Sequence, residues 1–211
     1  MKEGSFLFTL VTALGLVTAQ LVHNLVALKD YSVFSGTILD QTVSGQPLAS
    51  KVDAWLGIDY ATQPVGERRF KRVEWARPFR GIKAASQRAR SCPQRNSTAI
   101  PYAKQSESCL QFEVFRTPGV PLGKKLPILV WIHGESFNVG HQQNFDGAAF
   151  VANSQQPLVV MTFNYRLGPL GSLPSPLFEE ENLLNLGLLD QNLFLQFVQK
   201  HASSFDSFNS T

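Results

Sequence analysis

Two uninterrupted apolar runs, "PILVWI" (Pro127–Ile132) and "PLVVMTFNY" (Pro157–Tyr165), constrain this chain more than anything else in it. A strand with one face in water alternates polar and apolar residues, whereas a continuous run signals a strand covered on both faces. Between the two lies "FDGAAFVANS" (Phe145–Ser154), short and helix-like. Strand, helix, strand predicts an α/β protein with a parallel or mixed sheet and helices on its faces. Upstream, "SGTILD", "TVSGQP" and "VDAWLGIDY" read as strands with a hairpin near Ser44-Gly45-Gln46-Pro47. "CLQFEVFRT" (Cys109–Thr117) alternates like a half-buried strand, with Leu110, Phe112 and Val114 on one face and Gln111, Glu113 and Phe115 on the other. Downstream, "NLGLLDQNLFLQFVQKHASSF" (Asn185–Phe205) sets Leu188, Leu189, Leu193, Phe194, Phe197 and Val198 at helical spacing and turns Asp190, Gln191 and Gln199 elsewhere.

The first residues have a different logic. Lys2 precedes an apolar stretch from Phe6 to Val17, and Val17-Thr18-Ala19 supplies small residues at a cleavage position. Residues 1–19 therefore read as a signal peptide, followed by a short leader over 20–34; the run is short of the about 20 apolar residues that span a bilayer. A secreted, extracellular chain favours a disulfide between Cys92 and Cys109 over two free thiols. Closing such a loop contributes about 3 kcal/mol in the chain-entropy account. The same compartment makes the sequons at Asn96 and Asn209 glycosylation candidates. A composition of 44% hydrophobic and 17% charged residues excludes disorder, and a net charge of +3 is too mild to imply a nucleic-acid partner. The densest basic segment, "ERRFKR" (Glu67–Arg72), carries its own acid.

The order of motifs carries a resemblance. "GIDYATQPVGERRF", "CPQ", "SESCL", "LPILVWIHGESF", "FDGAAFVA", "VVMTFNYRLGPLG" and "NLGLLDQNLFLQFVQ" are similar to the landmarks in the amino-terminal part of the type-B carboxylesterase/lipase family, over roughly residues 35–205. The resemblance implies an α/β-hydrolase fold and ester hydrolysis by a serine nucleophile. It matches Cys92 and Cys109 to cysteines that close a surface loop, and it matches Arg69 with Glu107 and Arg166 with Asp190 to structural ion pairs. A desolvated arginine is tolerated only beside a carboxylate, which gives those pairs a physical reason.

Gly134-Glu135-Ser136 looks at first like the start of a G-x-S-x-G elbow. An elbow serine sits between strand and helix with a second small residue two positions on, whereas Ser136 is followed by Phe137-Asn138. The resemblance places Glu135 and Ser136 on two glycine positions whose backbone N–H groups form an oxyanion hole. Glycine suits such a turn because it takes conformations a side chain resists, and a carboxylate at 135 opposes developing negative charge. Asp59, Gln63, Ser108 and Glu113 also depart from the residues usual at their positions in the family. No elbow serine, acid or histidine base of the family type occurs up to Phe205, and residues 206–211 read as a non-family tail. The expectation is a chain truncated before the elbow, with an exposed apolar sheet edge.

The histidines supply no base: His133 is the residue ahead of the oxyanion turn, His23 is near the start, and His141 and His201 read as solvated or capping. No two share metal-ligand spacing, so no metal and no cofactor is expected. The leading reading is the amino-terminal part of a secreted ester hydrolase, inactive alone, whose longer form would take a small ester or lipid. Two others stand beside it: a catalytically inactive secreted binding or adhesion-type homologue with a protein partner, and an incomplete gene reading.

Overall fold

The computed structural model describes residues 24–120 and 125–206. The predicted signal peptide 1–19, His23 and the Asn209 sequon lie outside the described residues. Along the chain come β1 (Leu25–Leu28), β2 (Ser32–Ser35), β3 (Thr37–Gln41), β4 (Pro47–Asp59), β5 (Ile82–Ala84), β6 (Gln111–Arg116), β7 (Ile128–Ile132), α1 (Gly147–Ala152), β8 (Val159–Phe163), α2 (Gly168–Ser172), α3 (Pro176–Glu180) and α4 (Leu186–Asp206). Two sheets form, β1-β2-β5 and β3-β4-β6-β8-β7. The larger is mixed: β7 and β8 run parallel, and the β3–β4, β4–β6 and β6–β8 pairs are antiparallel. β1 lies in the segment read as a leader, and its Val26 and Leu28 are buried in the core.

Residues of alternate parity fill the two faces. On one, α1 sets Ala148 and Val151 against Val52, Ala54, Phe115 and Val160. Its first turn is capped by Asp146, whose Oδ1 accepts from the Ala149 N–H at 2.9 Å. Gly147 permits this approach, since a Cβ there would lie 2.4 Å from the Phe115 ring. On the other face α4 lays Phe194 and Phe197 on Phe112 and Phe163; Phe163 and Phe194 stack with centroids 4.0 Å apart. Truncating such a ring to alanine costs about 3–5 kcal/mol.

Four sequence expectations are corrected. β6 is not half-buried: Phe112 to Arg116 are all buried, because α1 packs on Phe115 and Arg88 closes over Glu113. β7, whose run alone predicts cover on both faces, is instead the sheet edge among the described residues and only half-buried, with Ile132 exposed, in accord with the exposed apolar edge that was also expected. On α4, Leu188 is exposed and Asp190 fully buried, the reverse of the helical pattern, because Asp190 serves a buried partner. His201, read as a solvated helix end, is inside α4 with its ring 4.4 Å from that of Phe197.

Candidate functional site

The segment after β7 turns sharply through three consecutive left-handed residues, Glu135 (φ 72°), Ser136 (φ 58°) and Phe137 (φ 61°). Each such non-glycine residue costs about 1–2 kcal/mol, so surrounding contacts must hold the turn. The Gly168 N–H donates to the Phe137 carbonyl at 2.7 Å, and Asn138 Nδ2 donates to the Ser136 carbonyl at 3.1 Å. Below the turn, His133 is buried and stacked on Tyr165 with centroids 4.2 Å apart, while the Tyr165 hydroxyl donates to the His133 carbonyl at 2.7 Å. Burial pushes the His133 imidazole down to about 4, so it is neutral near pH 7. Gly140 (φ 115°) closes the turn, where a Cβ would meet His133 Nδ1 at 2.8 Å.

Glu135 and Ser136 are exposed on this turn. The Glu135 carboxylate is engaged sideways, its Oε1 accepting from Asn144 Nδ2 at 3.1 Å. No histidine or carboxylate hydrogen-bonds Ser136 Oγ among the described residues, so nothing there activates it as a nucleophile.

A second layer fixes the turn to its surroundings. Cys92 and Cys109 form a disulfide, closing a loop over a sequence separation of 17. Gln94, at the foot of that loop, clasps Gly140 on both sides: its Oε1 accepts from the Gly140 N–H at 2.8 Å and its Nε2 donates to the Gly140 carbonyl at 2.9 Å. Next to the clasp is a hollow of about 650 Å³ walled by Pro93, Val139, Leu167, Pro169 and Leu170, with Arg95 beside it. Asn96, on the same loop, is exposed; its Oδ1 accepts from the Tyr102 N–H at 3.0 Å.

Arg166 and Asp190 meet in full burial, with Nε and Nη2 of the arginine donating to the two carboxylate oxygens at 2.8 and 2.7 Å. The Arg166 N–H donates to the same carboxylate, and its Nη1 to the Lys71 carbonyl at 2.8 Å. Arg69 and Glu107 also meet, at 2.6 Å, but Arg69 is half-exposed. The desolvation argument therefore applies to Arg166 and not to Arg69, whose pair is of the surface kind worth at most about 1 kcal/mol.

Sequence reasoning left three residues that shape the site without a role. Gln94 was quoted within "CPQ" without a role, and only its place two residues after a cysteine hinted at one. Asn164 Oδ1 accepts from the Gln142 N–H and its Nδ2 donates to the Arg90 carbonyl, both at 2.9 Å, stitching β8 to two loops. Glu113 is buried against Arg88 at 2.7 Å, and burial raises its carboxyl above the ordinary value, offset in part by that guanidinium. Among the described residues, no cluster of histidine, cysteine or carboxylate side chains is arranged to hold a metal. No helix among them is long and apolar enough to cross a membrane.

Comparison with known proteins places this geometry. Secreted lipase 4 of Gibberella zeae is 53% identical over 183 residues, covering 87% of this chain and 33% of that protein. Para-nitrobenzyl esterase of Bacillus subtilis is 40% identical over 162 residues, covering 73% of this chain and 32% of that one. Among solved structures, a thermophilic pNB esterase superposes with a TM-score of 0.73 at 33% identity, over 88% of this chain and 36% of that chain. Aspergillus niger EstA gives 0.73 at 28% identity, with 88% and 34% coverage. The chain thus spans about a third of the length of the curated relatives it matches, and it has part of the α/β-hydrolase fold of its structural neighbours. With the carboxylesterase family profile matching residues 30–207, the chain belongs to the carboxylesterase family.

Proposed function

We propose that this chain supplies the amino-terminal part of a secreted serine ester hydrolase that acts on a small ester or lipid. The nucleophile, acid and histidine base then come from residues beyond this sequence, and residues 1–211 alone are inactive. The observation that carries the reading is the left-handed turn at Glu135–Phe137, kept although none of the three residues is glycine. An unfavourable backbone held by hydrogen bonds to neighbouring residues marks a segment whose shape is used. In this reading the N–H groups of Glu135 and Ser136 meet the substrate carbonyl as it gains negative charge, and the apolar hollow beside Val139 receives hydrocarbon. The Gibberella relative is described as a secreted lipase, in keeping with an extracellular enzyme. Asn96 fits the same compartment, since its exposed side chain accepts at Oδ1 from the Tyr102 N–H, a bond that leaves Nδ2 for a glycan.

The test is hydrolysis of p-nitrophenyl butyrate by the full-length secreted protein. Turnover is expected, and Glu135→Gly is expected to raise it several-fold by removing a carboxylate from beside the developing charge. That carboxylate also favours a second reading, a secreted binding protein of the same fold. Absence of turnover in both wild type and Glu135→Gly selects the second reading and ends the first.

A further inference from the structure

A separate cavity of about 420 Å³ opens where four segments converge: the β3–β4 hairpin at Val43, Arg88–Ser91, Ala99–Lys104 of the disulfide loop, and the turn at His141 and Gln143. Four basic side chains line it, Arg88, Arg90, Lys104 and His141, and no carboxylate does. The Arg88 charge is answered from behind the wall by Glu113 at 2.7 Å. His141 feels the opposing charges of Glu135 and Lys104. Arg90 and Lys104 have no ion-pair partner among the described residues. The remaining wall is mostly apolar, with Val43 and Ile100 its largest apolar members and Ser91 and Gln143 its polar ones.

The walls are braced. The Ser91 N–H donates to the Lys104 carbonyl at 3.0 Å, Gln143 Nε2 donates to the Ala89 carbonyl at 3.3 Å, and the Cys92–Cys109 disulfide closes the loop that carries Lys104. A preformed hollow with unanswered cations on one part and hydrocarbon on another is suited to an anion with an apolar body. We propose that this cavity binds an amphiphilic carboxylate, with its head between Arg90 and Lys104 and its chain against Val43 and Ile100. The choice of carboxylate rests on the ester-hydrolase reading, because such an acid is what that reaction releases; the site would then sense the product away from the oxyanion turn.

The experiment is isothermal titration of the full-length secreted protein with octanoate at low salt. Octanoate is expected to bind, and Arg90→Gln/Lys104→Gln to weaken it at least tenfold. Arg68→Gln, which removes a cation elsewhere on the surface, is expected to leave it unchanged. All three altered side chains are outside the core, and an unchanged denaturation midpoint checks that the variants fold. Equal binding by the double variant, equal binding of octanol, displacement of octanoate by an equal concentration of sulfate, or no octanoate binding would each overturn the proposal. Ester turnover measured on the same sample decides the catalytic reading independently. Octanoate binding without turnover leaves this site standing, and turnover without binding removes it.

Discussion

Arg166, 2% exposed, answered by a carboxylate that is 0% exposed, is the interaction in this molecule with most to lose at a single position. Asp190→Asn would leave a buried guanidinium uncompensated and is expected to cost about 3–5 kcal/mol. The check is the denaturant midpoint of the full-length protein. The double variant Arg166→Met/Asp190→Leu should be less destabilised than Asp190→Asn, because it leaves no charge buried. At this scale the sequence alone was a poor guide. Helical periodicity put Asp190 away from the apolar face and Leu188 on it, since a pattern of residue types does not reveal that a carboxylate has a buried partner 24 positions upstream. The pair was named only through resemblance, and so was the pair of Arg69, which the structure finds half-exposed.

Between elements, glycines decide how closely α2 and α4 approach the turn that follows β8. A Cβ at Gly187 would lie 2.5 Å from the Arg166 carbonyl oxygen, and one at Gly171 only 2.2 Å from it. Gly187→Ala should therefore push α4 off that turn, costing about 1–3 kcal/mol or more by overpacking; a thermal melt reads it, and an unchanged melt would contradict the close approach. The strand–helix–strand succession was legible because a continuous apolar run has few other folded explanations. Burial of β6 was not: its alternation of Glu113 with Phe112 and Val114 imitates a solvated face. The acid is instead held inside by Arg88, which lies 25 residues upstream. β7 misled in the other direction, as the same kind of run that is fully buried in β8 is half-buried at the sheet edge.

Across the whole molecule the described histidines tie stability to pH. His133 and His201 are both pushed down to about 4, burial being the leading cause. The unfolded chain takes up their protons near 6.5 and the folded one near 4, so the stability they contribute is complete above 6.5 and is lost as pH falls through that window. Glu113, raised by burial, works in the opposite sense. The denaturant midpoint is expected to decline from pH 6.5 to 4, and His201→Leu to flatten part of that decline. The fold class could be read from the sequence because it depends on runs and their order; the turn at Glu135 and Ser136 was reached only through resemblance, and the single amides that anchor it, those of Gln94 and Asn144, were not legible. The Gln94 clasp has one more consequence. Since it stands two residues from Cys92, a thiol reductant in a storage buffer would act as a remote hand on the turn at Gly140, loosening its anchor without touching a reacting atom. Preparations made inside a reducing cytosol and preparations taken from a culture medium would then differ in behaviour although their sequences are identical.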